Sequence, residues 1–355
     1  MPPPPEPTIE RHDRIEPLAA EWDELVDRTT RMPWVRPGWV SAWWQAFGRG
    51  RLELLVARRA GRLVGMLPLK RHGDRIGSAT NPHSHGFCLL AEDDAVRRAL
   101  ADALMRQPAR QVTLRYLSSN GAGLAEATKA ARAAGRLLVI RPMLRSPYVP
   151  IDGDWAAYTR ALSSHRLRGV GRQRRRLERL GRLVVDVQDG RERLDLLLAE
   201  GWQVESSGWK GQRGTAVASH SDTREFYRAV ARWAAVRGCL RLAFLRLDGR
   251  PLVFDFGLED NGVHYLLKTG YDASWREYGP GVLLRHEMLA RAFALRLDRY
   301  ELLGADDSWK AHWTDKAHEL FALQAFTPSP AGLVDWAAWA YGQPVAKRLI
   351  AACRR

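Results

Sequence analysis

The sequence predicts an α/β protein in which mixed, mostly antiparallel sheets are flanked by helices. Three observations carry that prediction. An apolar run at 263–267 reads as a buried strand and leads into Tyr278-Gly279-Pro280-Gly281. An amphipathic stretch at 282–295 and a second apolar run at 300–303 follow, completing one βαβ unit with a parallel strand pair. Two hairpins are also legible. One joins 52–57 to 62–70 around Arg59-Ala60-Gly61, the other joins 240–247 to 252–258 through Asp248-Gly249-Arg250. Finally, 355 residues with 46% hydrophobic and 27% charged content suit a globular chain of two domains or two similar halves, each able to bury its own core.

Taken in order, 1–13 is proline-rich and expected to be disordered. A short helix at 18–29 places Trp22 and Leu25 on one face. The Pro33-to-Trp39 turn leads into a helix carrying Trp39, Trp43, Trp44 and Phe47, whose rings fall mostly on one side. With the first hairpin and a strand at 112–116, these elements form a first half over 14–148 that lacks a glycine loop. The second half, 149–328, begins with a helix at 155–162. A helix at 165–180 follows, with arginines at 166, 168, 172, 174, 175, 176 and 179, and Arg182 on its flank. Leu167, Val170, Leu177 and Leu180 keep helical spacing, so one face is apolar and the other strongly basic. A strand at 183–187, helices at 194–204 and 226–237, and the strands of the second hairpin precede the βαβ unit. A helical extension, 329–355, closes the chain.

Several function classes are disfavoured. No apolar run reaches the roughly 18 residues that span a bilayer, and the N-terminus has no secretory core, so the expected location is cytoplasmic, with the inner-membrane surface open as a peripheral site. Cys88, Cys239 and Cys353 stand singly and form neither a metal spacing nor a disulfide framework. His83 and His85 have no third ligand nearby, so no metal is expected and the segment reads as a polar loop beside a cleft. A net charge of +15 reads either as a solvated basic surface or as attraction to an acidic partner: CoA, an acyl carrier protein, tRNA or an anionic membrane. The arginine helix lacks interleaved aromatics and a recognisable module, which argues against sequence-specific DNA binding.

The chemistry concentrates near the βαβ unit. Glycines before a helix N-terminus read either as a tight turn or as a phosphate cradle, because first-turn N–H groups sit at the positive end of the helix dipole. Asp255 interrupts an apolar strand: buried, it would be a candidate general base, or else it points into a polar cleft. Lys268 interrupts the next strand, followed by Tyr271 and Asp272. Asp306, Asp307 and Lys310 end the last strand, where open α/β sheets place ligands. His286, inside the helix, reads as a packed or exposed histidine, and no Ser-His-Asp or Cys-His arrangement is apparent.

The segments K-T-G-Y-D (268–272), Y-G-P-G-V-L-L (278–284) and L-G-A-D-D-S-W-K-A-H-W (303–313) resemble the C-terminal half of the GNAT acyltransferase superfamily. More narrowly, they resemble the CelD/BcsL-type domain linked to cellulose biosynthesis, a relative of the Fem-type aminoacyltransferases. The resemblance implies a tandem GNAT-like fold and an acyl group, acetyl foremost, moved from acyl-CoA to an amine or hydroxyl. The acceptor would be a small molecule or a polysaccharide or peptide precursor. It implies that Tyr278, Gly279, Gly281, Val282 and Leu283 cradle the pyrophosphate. A backbone N–H within 268–271 would polarise the carbonyl, and Trp209 and Lys210 would lie on the acceptor side. Trp309 stands where the family carries tyrosine, so the acid that protonates the thiolate would be Tyr271 or Tyr278. Fem-type relatives take their acyl group from aminoacyl-tRNA. That leaves a tRNA donor as the alternative, and a non-catalytic binder of envelope precursors as a third reading.

Overall fold

The computed structural model describes residues 5–162, 164–207 and 217–342. The chain divides into two compact units, 1–144 with 318–355, and 145–317.

The first unit starts with a strand, β1 (Thr8–His12), where disorder was expected. Its backbone groups extend the ladder of β2 (Arg51–Arg59) from Thr8↔Arg58 to His12↔Leu54, and that pairing orders a segment with no apolar period of its own. Between them lie α1 (Ala19–Thr29) and α2 (Pro37–Phe47), which bury Trp22, Trp39 and Trp43. After β2 come β3 (Arg62–His72), β4 (Arg75–Ser78) and the two-residue β5 (Leu90–Ala91). Then α3 (Asp94–Met105) crosses over to β6 (Gln111–Ser118), which lies parallel to β4. Next come α4 (Ala122–Ala133) and β7 (Leu137–Pro150), the latter running across the division at 145. A core of Leu67, Leu69, Ile76, Val112 and Leu114 packs beneath Val96, Leu100 and Leu104 of α3.

The second unit repeats the succession. It opens with α5 (Trp155–Ala161), the arginine-rich α6 (Ser164–Glu178) and β8 (Leu183–Gln188). Two helices follow, α7 (Leu194–Ser206) and α8 (Ser221–Arg237). The meander β9 (Leu240–Leu247), β10 (Arg250–Asp260) and β11 (Val263–Tyr271) is antiparallel. A 3₁₀ turn over Ala273–Tyr278 precedes α9 (Pro280–Ala294), which crosses over to β12 (Arg299–Glu301), parallel to β11. Helix α9 begins two residues earlier than its apolar period indicates, because Pro280 at its first position has the right φ and no N–H to satisfy. One face of this sheet packs on α5, α6 and α9 through Leu245, Leu266, Leu284 and Met288. The other packs on α7 and α8, where Trp202 stacks on Phe256 at 5.8 Å and meets Phe254 edge-on at 5.5 Å.

The strand that follows in sequence, β13 (Ala317–Phe326), pairs antiparallel with β6 in the first unit, and α10 (Pro330–Ala337) follows it there. The division therefore falls at 145 and 318, not at the expected 149 and 329. The β6 ladder joins residues some 200 apart in sequence, a pairing no local pattern announces. The extension is held to its own unit, with Trp336 Nε1 donating to Leu138 O (3.3 Å) and Arg75 pairing with Asp335 (3.2 Å). No helix among the described residues is long and apolar enough to cross a membrane.

Candidate active site

The N-terminus of α9 is built for a close approach. Gly279 caps it at φ +60°, a backbone conformation that favours glycine, and a Cβ there would lie 2.2 Å from Gln173 Nε2, so that side chain would have to move. Gly281 differs: a Cβ there would meet only Tyr271 Cδ1, at 3.9 Å, and packing gives no reason for its lack of a side chain. Pro280 has no N–H and that of Val282 turns back to Gly279 O (3.1 Å), which makes Gly281 the leading donor of the first turn. Leu283 is buried in the core, so of the expected cradle it can offer only backbone. Tyr278 lies under the Arg176 guanidinium at 4.7 Å, and Arg176 also donates to Glu277 O at 3.1 Å. The topologically matching helix of the first unit, α3, is filled from within. Asp93 accepts from Val96 N (2.9 Å), and Arg59 and Arg62 pair with Asp93 and Glu92. Those carboxylates occupy the positive end that an external phosphate would need.

The sheet opens beside this helix. The parallel pairing of β11 with β12 covers only Val263↔Arg299 to Tyr265↔Glu301, while β11 runs on to Tyr271 against β10. Phe256 pairs with Lys268 and Gly257 with Leu266, leaving Leu267 as a bulge residue outside the ladder. The interruption thus lies immediately before the stretch expected to hold a carbonyl. Beyond it the side chains diverge. Tyr271 points to α9 and the Gly281 N-terminus, whereas Lys268 sits on the α7/α8 face with Nζ 5.2 Å from the Tyr227 ring centre. There the sequence reading missed Glu205. It is buried at the end of α7, its Oε2 accepts from Val217 N at 2.9 Å, and a Cβ at Gly270 would come within 2.6 Å of its Cα. Burial, then the charge of Glu205, push the Tyr227 hydroxyl well above its ordinary range. The signal in sequence was a glycine one turn of strand beyond Lys268, legible only with the helix that fills it.

Asp255 is committed to a cation. It is 1% exposed, and Arg285 Nη2, from the apolar side of α9, donates to its Oδ2 at 2.8 Å. Arg285 also donates to the Tyr300 hydroxyl, on which the His264 ring stacks at 4.4 Å. Burial opposes the charge of Arg285, but Asp255 and Tyr300 outweigh it and raise its pKa. The structure thus places Asp255, a candidate general base on sequence, in an ion pair with Arg285 inside the protein. Glu259 extends the network, accepting from Arg291 (2.6 Å) and Arg241 (3.1 Å), with His264 Nδ1 at an ion-pair distance of 3.7 Å. Burial works to raise its pKa, yet these neighbours hold it well below the usual carboxylate range. Because the folded pKa is the lower one, this stabilisation is complete above the ordinary value of 4.5 and is lost as pH falls below it. Glu259→Gln is therefore expected to flatten the acid limb of stability against pH, measured by urea unfolding between pH 3 and pH 6. An unchanged slope would remove Glu259 from that account.

Three further expected residues serve the scaffold. Asp272 caps the 3₁₀ turn, accepting from Ser274 N (3.0 Å), and pairs with Arg250 at 2.7 Å. Asp306 lies at the surface, paired with Arg145 at 3.1 Å. Lys310 is buried and donates to Leu303 O (2.5 Å) and Ala305 O (2.6 Å), clamping a loop in which Leu303 and Gly304 both have positive φ (52° and 63°). Lys310→Met should cost about 1–3 kcal/mol of stability by orphaning the buried Leu303 carbonyl and releasing that of Ala305. A melting temperature equal to the parent's would contradict the clamp. Trp309 is about one-third exposed with the Arg285 guanidinium 5.9 Å from its ring centre, so it screens the buried pair at the end of β12. Trp209 and Lys210 lie outside the described residues.

A meander, a glycine-started crossover helix and a strand pair that parts beside it make up a GNAT-like fold in the second unit. Residues 164–311, within that unit, match the family model described as an acetyltransferase (GNAT) domain. Among solved structures, the chain resembles FemX (13% identity, TM-score 0.59, covering 92% of this chain and 100% of that one). It also resembles the C-terminal domain of a protein described as a lysylphosphatidylglycerol synthetase from Agrobacterium fabrum (12%, TM-score 0.57, 90% and 95%). A third is L-PGS from Bacillus licheniformis (11%, TM-score 0.54, 90% and 95%). At these identities the likeness is one of fold. No curated protein matches the sequence.

Proposed function

We propose that the chain transfers an acyl group, acetyl foremost, from an acyl-CoA thioester to an amine or hydroxyl by direct attack. The observation that carries this reading is Gly281, a helix-starting residue whose missing side chain leaves open space 3.9 Å from Tyr271 and is unexplained by packing. Gly281 would hold the pyrophosphate by its backbone N–H, with Gly279 giving the turn that exposes it. When bound, the thioester supplies an activated acyl carbon. Leu267, outside the ladder, would donate its N–H to the acyl oxygen. Lys268 and Glu205, on the α7/α8 face, would meet the acceptor, with Glu205 taking its proton. Tyr271, beside the helix N-terminus, would return a proton to the leaving sulfur. Asp255 and Arg285 hold α9 in place beneath.

A second reading, aminoacyl transfer from tRNA, has one observation in its favour. Arg172, Arg175 and Arg176 are exposed on α6, and Arg179 is exposed just past its end. Calorimetric titration with acetyl-CoA, longer acyl-CoAs and tRNA separates the two. The first expects acyl-CoA binding and thiol release with a suitable amine. The second expects tRNA binding that weakens steeply with salt and no response to acyl-CoA.

A further inference from the structure

Among the described residues of the first unit, the buried or half-buried cations have partners. Arg36 is paired with Asp23 and Asp27, Arg71 with Glu53, and Arg136 donates to three carbonyls. Lys70 is the exception. Half-buried on β3, its ammonium lies over the Trp43 ring (5.2 Å) and has only a 3.5 Å contact to Thr80 O, with no carboxylate. Burial first, and then the charge of Arg115, a cation itself without an ion pair, lower the Lys70 pKa. Two details show that the backbone brings these like charges together. Lys70 is in register with Gly77, and Gly77 with Thr113; Lys70 Cε lies 3.5 Å from the Cβ position of Gly77, so the lysine lies across β4 towards β6. Arg115 sits where β6 slips against β13, between Leu114↔Leu323 and Leu117↔Phe321, and Tyr116 there has φ +63°. A bulge with a left-handed non-glycine residue re-aims a side chain at a conformational cost, and such strain gathers at functional sites. The loop 79–87 borders the pair through Thr80 O and through Phe87 N, which donates to Tyr116 O at 3.0 Å. That loop holds Ser84, 2% exposed, whose Oγ has no hydrogen-bond partner.

We propose that Lys70 and Arg115, with the Ser84 loop, form an anion site in the first unit that takes a phosphate group of a ligand. Two converging cations match a doubly charged oxyanion; a single carboxylate would leave one of them uncompensated. The site lies at the parting of β4 and β6 and is separate from the α9 N-terminus, so it stands whether or not the donor is acyl-CoA.

Inorganic pyrophosphate is the probe, titrated calorimetrically into the full chain carrying Gly281→Val to silence the α9 N-terminus. Binding is expected to persist in that background and to weaken about tenfold or more when Arg115→Gln or Lys70→Met is added. Both substitutions relieve like-charge repulsion, so thermal melts are expected to equal or exceed the parent's, which separates lost binding from lost fold. Pyrophosphate binding that disappears with Gly281→Val alone, or that survives both Arg115→Gln and Lys70→Met, overturns the site. Failure of the donor reading shows separately, as acyl-CoA binding indifferent to Gly281→Val.

Discussion

Replacing Gly281 by valine is expected to weaken acyl-CoA binding by roughly 100-fold while leaving the fold intact. The reasons are local. The Cβ position is open, with Tyr271 Cδ1 at 3.9 Å as its nearest neighbour, so the new side chain meets no protein atom it must displace. It would instead occupy the space a pyrophosphate needs against the first-turn N–H groups. Losing one or two charge-assisted hydrogen bonds there costs about 3 kcal/mol, which is about two decades in Kd. Helix propensity does not oppose the change, since glycine is the poorer helix former. The measurement is calorimetric titration with acetyl-CoA, alongside thermal melts of parent and variant. Affinity unchanged in a folded variant would remove the phosphate role from this helix. Gly279→Ala makes a useful contrast, because φ +60° and the 2.2 Å approach of Gln173 Nε2 predict lost stability there rather than a selective loss of binding.

The second large effect concerns the buried pair. Asp255→Asn should destabilise the protein by about 3–5 kcal/mol, because it leaves the Arg285 charge uncompensated in an apolar layer. Asp255→Leu combined with Arg285→Met should recover most of that loss, since two apolar residues need no partner. Urea unfolding of the two single variants and the double variant measures both. The same variants test catalysis. If Asp255 were the general base, Asp255→Asn would abolish turnover in molecules that remain folded. The geometry instead predicts that activity tracks the folded fraction. Turnover lost at a temperature where circular dichroism shows the native fold would return Asp255 to the mechanism.

The repeated succession of elements was largely legible in the sequence. Both hairpins, the arginine-bearing helix and the βαβ unit follow from apolar periods of two and 3.6 and from turn residues such as Asp248-Gly249. The glycine start of α9 was legible too, because a backbone requirement leaves its mark in residue type. Strand β1, at 8–12, was not, since its order comes from a ladder with β2 and not from its own pattern. Nor was the return of β13 to the first unit, where the partner strand lies some 200 residues away.

The division is sharpest among the charged residues. Sequence alone picks out Asp255, Lys268, Asp272, Asp306 and Lys310 as charges in or beside apolar strands, and it assigns all five the same chemical promise. Their partners separate them. Arg285, set on the apolar side of α9, turns Asp255 into half of a structural pair, and Ser274 and Arg250 make Asp272 a cap. Arg145 holds Asp306 at the surface, and two loop carbonyls make Lys310 a clamp. Lys268 lies beside the parted strands, over the Tyr227 ring, where Glu205 joins it from the end of α7. Residue type and spacing fix which backbone can form, because those forces act within a few residues along the chain. A side chain's protonation and reach depend on what lies within a few ångströms of it, and only the folded chain brings those groups together.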